Sequence, residues 1–416
     1  MLELFPDSAR IDAGELSLGG VPVSRLTDEH GTPLLVYCEQ TVRAQARAYR
    51  AAAPDALVAY GTKAFANVAL LRVLVEEGIG ADVSTLGELA YAQRAGVPAE
   101  RLLFHGNNKS DEELHAAAAA GATVVLDAPD EPARARAAGV QRVLVRLTPG
   151  VEAVTHQAIA TAHDESKFGL AADGALAAID ASLRLGLDVA GIHVHVGSQL
   201  EQVDESLLAV DRLAAFCAQA RGELGWLPSV IDLGGGLGVR HNHSDHPPEV
   251  EAWVRPLVAR LRERWPEPAQ VVLEPGRSLV SRAGVSLYRV GVVKESAGIS
   301  YVAIDGGMSD NPRPQLYGAR YEALLANRAE VLATGVYRVA GKHCESGDVL
   351  IDAVELPQPA RGDLLAVPAT GAYTLALSSN YNGIPRPAVV LVRDGDATVI
   401  RRRESVDDLL RFEPPA

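Results

Sequence analysis

Val58-Ala59-Tyr60-Gly61-Thr62-Lys63-Ala64 is an apolar, β-prone run that ends in a lysine, and an amphipathic helical pattern from Asn67 to Glu77 follows it. A lysine at the end of a buried strand has to be accounted for, because an unpaired ammonium is costly to bury. One account is a lysine whose stem lies along the strand while its head reaches solvent, the commoner situation for such a residue taken alone. The other is a lysine held in a pocket to form a Schiff base with an aldehyde cofactor. The strand-like runs that follow decide between them, because they carry reactive or phosphate-binding residue types at the same end.

Those runs are Leu57–Tyr60, Gly80–Ser84, Leu102–His105, Thr123–Leu126, Val143–Leu147, Ala190–Val196, Val230–Leu233 and Val271–Glu274. Helical patterns lie between most of them, among them Leu86–Ala95, Asp111–Ala120, Ala172–Leu185, Glu205–Leu224 and Pro248–Trp265. Strands alternating with helices in this way predict a (β/α)8 barrel. A doubly wound open sheet is the competing α/β architecture. It would bring a glycine-rich loop after its first strand, where this chain has a lysine. Beyond Arg282 short Val-, Thr- and Leu-rich runs (Val285–Val293, Val331–Ala340, Leu364–Pro368, Ala388–Val392, Ala397–Arg401) are punctuated by Gly, Pro and Asp-Gly turns. They predict an all-β domain. The expected division is a barrel over 35–281 and a β domain made from 1–34 and 282–416.

The 416 residues suffice for two domains of ordinary size. A net charge of −14 with no basic stripe argues against nucleic acid or an anionic membrane as the main partner. The N-terminus lacks the pattern of a signal peptide, and no apolar stretch is long enough to span a bilayer. Cys38, Cys217 and Cys344 are too few and too scattered for a disulfide framework or a zinc cluster, which suits a reducing cytoplasm.

Barrel enzymes place their chemistry at the carboxyl ends of the strands. Here those ends read Lys63, Asp82 and Ser84, His105, Arg146, His193 and His195, Gly234-Gly235-Gly236, then Glu274 with Arg277. Each has an ordinary explanation by itself; the set is hard to explain as stability. Glycines after the seventh strand let backbone N–H groups approach a phosphate, although a glycine-rich turn alone is usually only a turn. Glu274-Pro275-Gly276-Arg277 is either a turn with a surface ion pair or a carboxylate placed under a pyridine nitrogen, with Gly276 and Arg277 completing the phosphate cup. His193 and His195 share one face of a strand, where one of them can stack on a cofactor and Ser198 can touch its phosphate. Cys344, flanked by Glu345 and Asp348, is an inert small residue or a proton donor. His241-Asn242-His243-Ser244-Asp245-His246 has metal-ligand residue types but fits no standard zinc spacing, so no metal is expected. His156 and His163 lie in the long loop after the fifth strand, which is expected to line the mouth of the site.

Taken in order, Tyr60–Ala64, Ser166-Lys167-Phe168-Gly169, His193–Gln199, Asp232–Gly238, Glu274–Arg277, Asp305–Gly318, Cys344–Asp348 and Gly371–Tyr373 resemble the diaminopimelate decarboxylases, within the alanine-racemase-like class of pyridoxal-phosphate (PLP) enzymes. The resemblance covers nearly the whole chain. Cys-Glu-Ser-Gly-Asp points to that branch, since the ornithine branch typically has Cys-Asp-Gly. One departure is Ala64-Phe65-Ala66-Asn67, where many relatives have Ala-Asn directly after the lysine. The resemblance implies that Lys63 carries PLP, His195 stacks on its ring and Glu274 holds the pyridinium. It implies that Ser198, Gly235, Gly236, Gly276, Arg277 and Tyr373 hold the cofactor or its phosphate. Arg277, Arg313, Tyr317 and Tyr373 would contact substrate, the first three at its distal carboxylate, and Glu345 would take its distal amine. Cys344 would act as the acid, and with Glu345 would come from the partner subunit of a homodimer. The implied reaction is decarboxylation of meso-diaminopimelate to lysine. Rival readings are a decarboxylase of ornithine, arginine, D-lysine or carboxynorspermidine, an amino-acid racemase (against which Glu274 speaks), and a non-catalytic PLP carrier.

Overall fold

The eight apolar runs form a closed parallel barrel, in chain order around the ring, in the computed structural model, which describes residues 2–151 and 166–414. Its strands are Leu57–Gly61, Gly80–Val83, Leu102–Phe104, Thr123–Leu126, Arg142–Arg146, Asp188–His193, Val230–Asp232 and Gln270–Leu273. The last pairs with the first, Val272 beside Leu57 and Leu273 beside Val58. Parallel strands covered on both faces read as unbroken apolar runs, which is why these segments do not alternate. Ala59, Leu103, Val125, Leu144, Ala190, Val230 and Val272 cluster in the barrel interior.

The helices between strands carry clear start and stop signals. Asn67 accepts from the N–H groups of Ala69 and Leu70 at the head of helix Val68–Glu76. Ser110 and Glu113 form a reciprocal cap on helix Asp111–Ala119. His156 and His163 lie outside the described residues.

The β unit is built around the 13-residue strand Gly284–Ser296. This strand pairs antiparallel with Ile299–Ile304, with Leu364–Val367 and with Leu34–Cys38. Two apolar clusters fill the unit, one around Leu16, Leu26, Val36, Val285 and Val390, the other around Tyr288, Tyr321, Val339 and Leu365. The short strands Arg10–Asp12, Glu15–Leu18 and Val21–Pro22 form a separate three-stranded sheet.

Two boundaries differ from the sequence-based division at 35 and 281. Leu34–Cys38 is not a barrel strand: it pairs antiparallel with Gly284–Leu287 and parallel with Ala388–Val392. Its five residues are all buried and a 14-residue helix follows, so it has the look of a first β/α unit without belonging to the ring. The compact units are 1–44 with 239–246 and 279–416, and 45–238 with 247–278. The expected run Val331–Ala340 also shortens to Gly335–Ala340, because 329–334 form turns and irregular backbone.

Gly191 tests the closeness of the barrel. A Cβ there would lie 1.8 Å from the carbonyl oxygen of Val230 on the neighbouring strand. Gly191→Ala is therefore expected to cost at least about 2 kcal/mol through strand displacement. Thermal or urea unfolding of the two proteins measures it.

Candidate active site

At the carboxyl ends of the barrel strands the sequence turns from apolar to polar. Lys63 sits in the single turn Thr62–Ala64 directly after the first strand, exposed between two buried neighbours. Its charge acts on Asp82 of the second strand and on His195 just past the sixth, so the three converge.

Glu274 lies at the centre of this group. Its Oε1 is 2.7 Å from Nε2 of His105 and its Oε2 is 3.1 Å from Nε2 of His193. The two imidazoles meet edge to face, with ring centres 4.9 Å apart. Burial pulls the Glu274 carboxyl up, but the His105 charge and the hydrogen bonds from both rings hold it well below the usual carboxylate range. Burial likewise opposes a charged His105, yet Glu274 and Asp82 carry its pKa above the ordinary value. His193 behaves differently: burial drives it to about 4, so it is a neutral ring that donates its Nε2–H to Glu274. Burial raises Asp82 to about 6, and burial together with the nearby Glu274 carries Asp232 well above the carboxylate range. The group thus holds one firmly ionised carboxylate, aimed by two imidazoles.

The glycine turn after the seventh strand is laced into the same place. Gly234 has φ 64°, and a Cβ on it would lie 2.5 Å from Val194 O and 2.9 Å from His195 Nδ1. A Cβ on Gly235 would lie 2.3 Å from Glu274 O. Only glycine lets the backbone come this near. Gly235 N–H donates to His195 Nδ1 at 3.3 Å. Burial, with the charge of Lys63, keeps that imidazole neutral. Gly236, with φ 133°, continues the turn. Gly276 lies beside Gly61, its Cα 3.5 Å from where a Gly61 Cβ would sit. Arg277 is buried at the start of the next helical turn and donates from Nη2 to Ser198 Oγ at 3.2 Å.

The remaining expected residues belong to the β unit. Arg313 and Tyr317 open and close the short helix Arg313–Tyr317. Arg313 is 4 % exposed, and among the described residues no acidic side chain pairs with it. Cys344 and Glu345 are both exposed on a loop organised by Asp348. That buried carboxylate accepts from Met308 N–H at 2.7 Å, His343 N–H at 3.0 Å and His343 Nδ1 at 2.6 Å. A Cβ on Gly307 or Gly341 would collide with it, at 2.5 and 2.0 Å. Cys344 N–H is held by Asn382 Oδ1 at 2.9 Å. Tyr373 follows the tightly packed Gly371 and has φ 58°, a conformation uncommon outside glycine that marks it as constrained.

The pyridoxal-binding domain model of the pyridoxal-dependent decarboxylases matches residues 39–281. Diaminopimelate decarboxylase of Actinosynnema pretiosum is 46 % identical over 99 % of this chain and 95 % of its own length. That of Mycobacterium tuberculosis is 43 % identical over 99 % of both. The chain belongs to the diaminopimelate decarboxylases. A structure of this family from M. jannaschii, in co-complex with L-lysine, superposes with a TM-score of 0.93 at 31 % identity, covering 99 % of this chain and 98 % of that one. A lysine/ornithine decarboxylase from Vibrio vulnificus is more distant, with a TM-score of 0.79 at 25 % identity and coverage of 89 % and 97 %.

The barrel residues fit the cofactor of this decarboxylase family. An amine at Lys63, an ionised buried carboxylate at Glu274, a neutral imidazole at His195 and glycines packed without room for a side chain are the donor set that an aldehyde, a pyridine ring and a phosphate require. Three further participants have no assigned role in the sequence reading. His105 stands among the strand-end residues, but its partner Glu274 is 169 positions away. Asp348 is only the last letter of a motif there, and Tyr321, which takes a hydrogen bond from Arg313, is an aromatic with no local signal. In the histidine cluster at 241–246, His243 lies 3.1 Å from Glu3, and His241 N–H donates to Asp245.

Two outcomes follow. Against an unfolded chain titrating near 6.5 and 4.5, the His105 contribution is complete below pH 6.5 and is lost as pH rises through its raised folded value. The Glu274 contribution is complete above 4.5 and is lost as pH falls through its lowered value. His105→Gln should therefore lower the Tm of the PLP-free protein most between these two pH values, with a smaller deficit at alkaline pH. Separately, Cys38 and Cys217 are buried and Cys344 is exposed, so alkylation of the native PLP-free protein should show one fast thiol, absent in Cys344→Ser.

Proposed function

We propose that the chain decarboxylates meso-2,6-diaminopimelate to L-lysine and CO2, as a homodimer of the cytoplasm in which Cys344 and Glu345 of one subunit serve the Lys63 of the other. The buried Arg313, without an acidic partner among the described residues, carries the substrate assignment. A buried guanidinium left uncompensated is costly, and a carboxylate supplied by a ligand relieves that cost with bidentate geometry. The full-length relatives named for this activity support the same reading.

When bound, pyridoxal phosphate supplies an electron sink for the pair of electrons left behind by CO2. The protein's part is binding, orientation and proton handling. Lys63 Nζ is the covalent attachment point. Glu274, kept ionised by His105 and His193, is the acceptor for a protonated ring nitrogen. His195 offers a neutral ring face for stacking, and a neutral ring does not compete for the Glu274 charge. Ser198, Gly235, Gly236, Gly276, Arg277 and Tyr373 hold the cofactor and its phosphate. Arg277, Arg313 and Tyr317 take the distal carboxylate, with Tyr373 beside the substrate, and Glu345 takes the distal amine. Cys344 Sγ delivers a proton to the α-carbon once CO2 has left.

The test is turnover of the PLP-loaded protein with meso-diaminopimelate and, separately, L- and D-ornithine, lysine and arginine, measuring CO2 and product amine. Lysine from diaminopimelate, with at most traces from the others, is the expected result. Turnover of a monocarboxylic diamino acid with none of diaminopimelate would overturn the substrate while leaving Lys63 in place. Lys63→Ala should abolish turnover, and Arg313→Ala should lower kcat/KM for diaminopimelate by at least about 100-fold, on the order of 3 kcal/mol.

A further inference from the structure

Arg313 Nη1 donates to Tyr321 Oη at 2.6 Å, and both side chains are buried, at 4 % and 3 % exposure. The sequence brings them together by a short reversal. Helix Arg313–Tyr317 stops at Gly318 in the left-handed conformation, φ 61°, and Ala319 N–H returns to Arg313 O. Tyr321 then enters the apolar cluster that contains Tyr288, Val339 and Leu350. The phenol ring also meets His241 in a T-shaped contact, with centres 5.7 Å apart and planes at 85°. The backbone N–H of His241 is fixed by Asp245 Oδ2 at 2.9 Å.

A neutral oxygen and a carboxylate do different things to an arginine. A carboxylate would orient the guanidinium and also cancel its charge. A phenol orients it and leaves the charge unspent, so an incoming anion meets a fixed cation at full strength. We propose that Tyr321 is a positioning residue for substrate selection: its hydroxyl aims Arg313 at the distal carboxylate, and His241 braces the phenol ring. The proposal rests on the reading of Arg313 as the carboxylate-binding residue, and it gives the histidine of the 241–246 cluster a purpose other than metal binding.

Stereochemistry makes the test selective. A meso diacid that yields L-lysine loses CO2 from its D centre, so L-lysine retains the distal carboxylate. D-Lysine instead keeps the reacting centre and lacks the distal carboxylate. Steady-state kinetics of the PLP-loaded enzyme would be compared for wild type, Tyr321→Phe, His241→Ala, His241→Phe and Arg313→Lys, with L- and D-lysine as inhibitors. Tyr321→Phe removes one hydroxyl and keeps the packing. It should raise the KM for meso-diaminopimelate and the inhibition constant of L-lysine about 10-fold each, equivalent to about 1.4 kcal/mol. The change in kcat should be smaller than that in KM, and the inhibition constant of D-lysine should stay the same. His241→Ala should move in the same direction and His241→Phe, which restores a ring, should recover; this pair carries the test if Tyr321→Phe does not load cofactor. An effect of Arg313→Lys with none from Tyr321→Phe or His241→Ala overturns the proposal, as do equal effects on the two lysine enantiomers. If Arg313→Lys itself leaves the KM and the L-lysine constant in place, the reading of Arg313 fails and the proposal fails with it.

Discussion

A single carboxylate, buried and kept ionised, is the constraint around which the barrel end is arranged. Glu274 is removed from water, so its charge must be met by donors that the protein supplies. His105 comes from the end of the third strand and His193 from the sixth, and each covers one oxygen. Asp82 backs His105 from 3.7 Å. The glycines after the seventh strand then have little latitude, because Gly235 packs directly on the backbone of Glu274. Closing the barrel is what makes these meetings possible, since the participants come from strands far apart in sequence.

The β unit solves the complementary problem in two ways. Asp348 is a buried anion that gathers three donors from two loops, and the loop that displays Cys344 and Glu345 is folded by that carboxylate. Arg313 is a buried cation hydrogen-bonded to Tyr321 and, among the described residues, given no counter-charge. Within one unit, the carboxylate is met by three donors, and the guanidinium is the one proposed above to await a ligand. The distinction rests on desolvation, since both would matter little on an exposed surface.

Much of this was legible in the chain. The eight barrel strands stand out as apolar runs with polar residues at one end, because a parallel strand covered on both faces needs no alternation. Lys63, Glu274 and the Gly234–Gly236 turn could be picked out by position alone. Leu34–Cys38 could not be placed, because an apolar pentapeptide before a helix has the same pattern whichever sheet it joins. Nor could the pairings of Glu274 with His105 and of Arg313 with Tyr321. The first spans most of the barrel, and the second joins a charged residue to an aromatic that reads as core. Periodicity reports which face is buried; it carries no information on which buried groups meet.

The central claim is that Glu274 keeps the cofactor ring protonated. The most direct measurement is the 15N chemical shift of the ring nitrogen in enzyme reconstituted with 15N-labelled pyridoxal phosphate, in wild type and Glu274→Gln. The account predicts a pyridinium signal in wild type at neutral pH and an unprotonated pyridine signal in the variant. An unprotonated ring in wild type, or a pyridinium that survives the loss of the carboxylate, would contradict it.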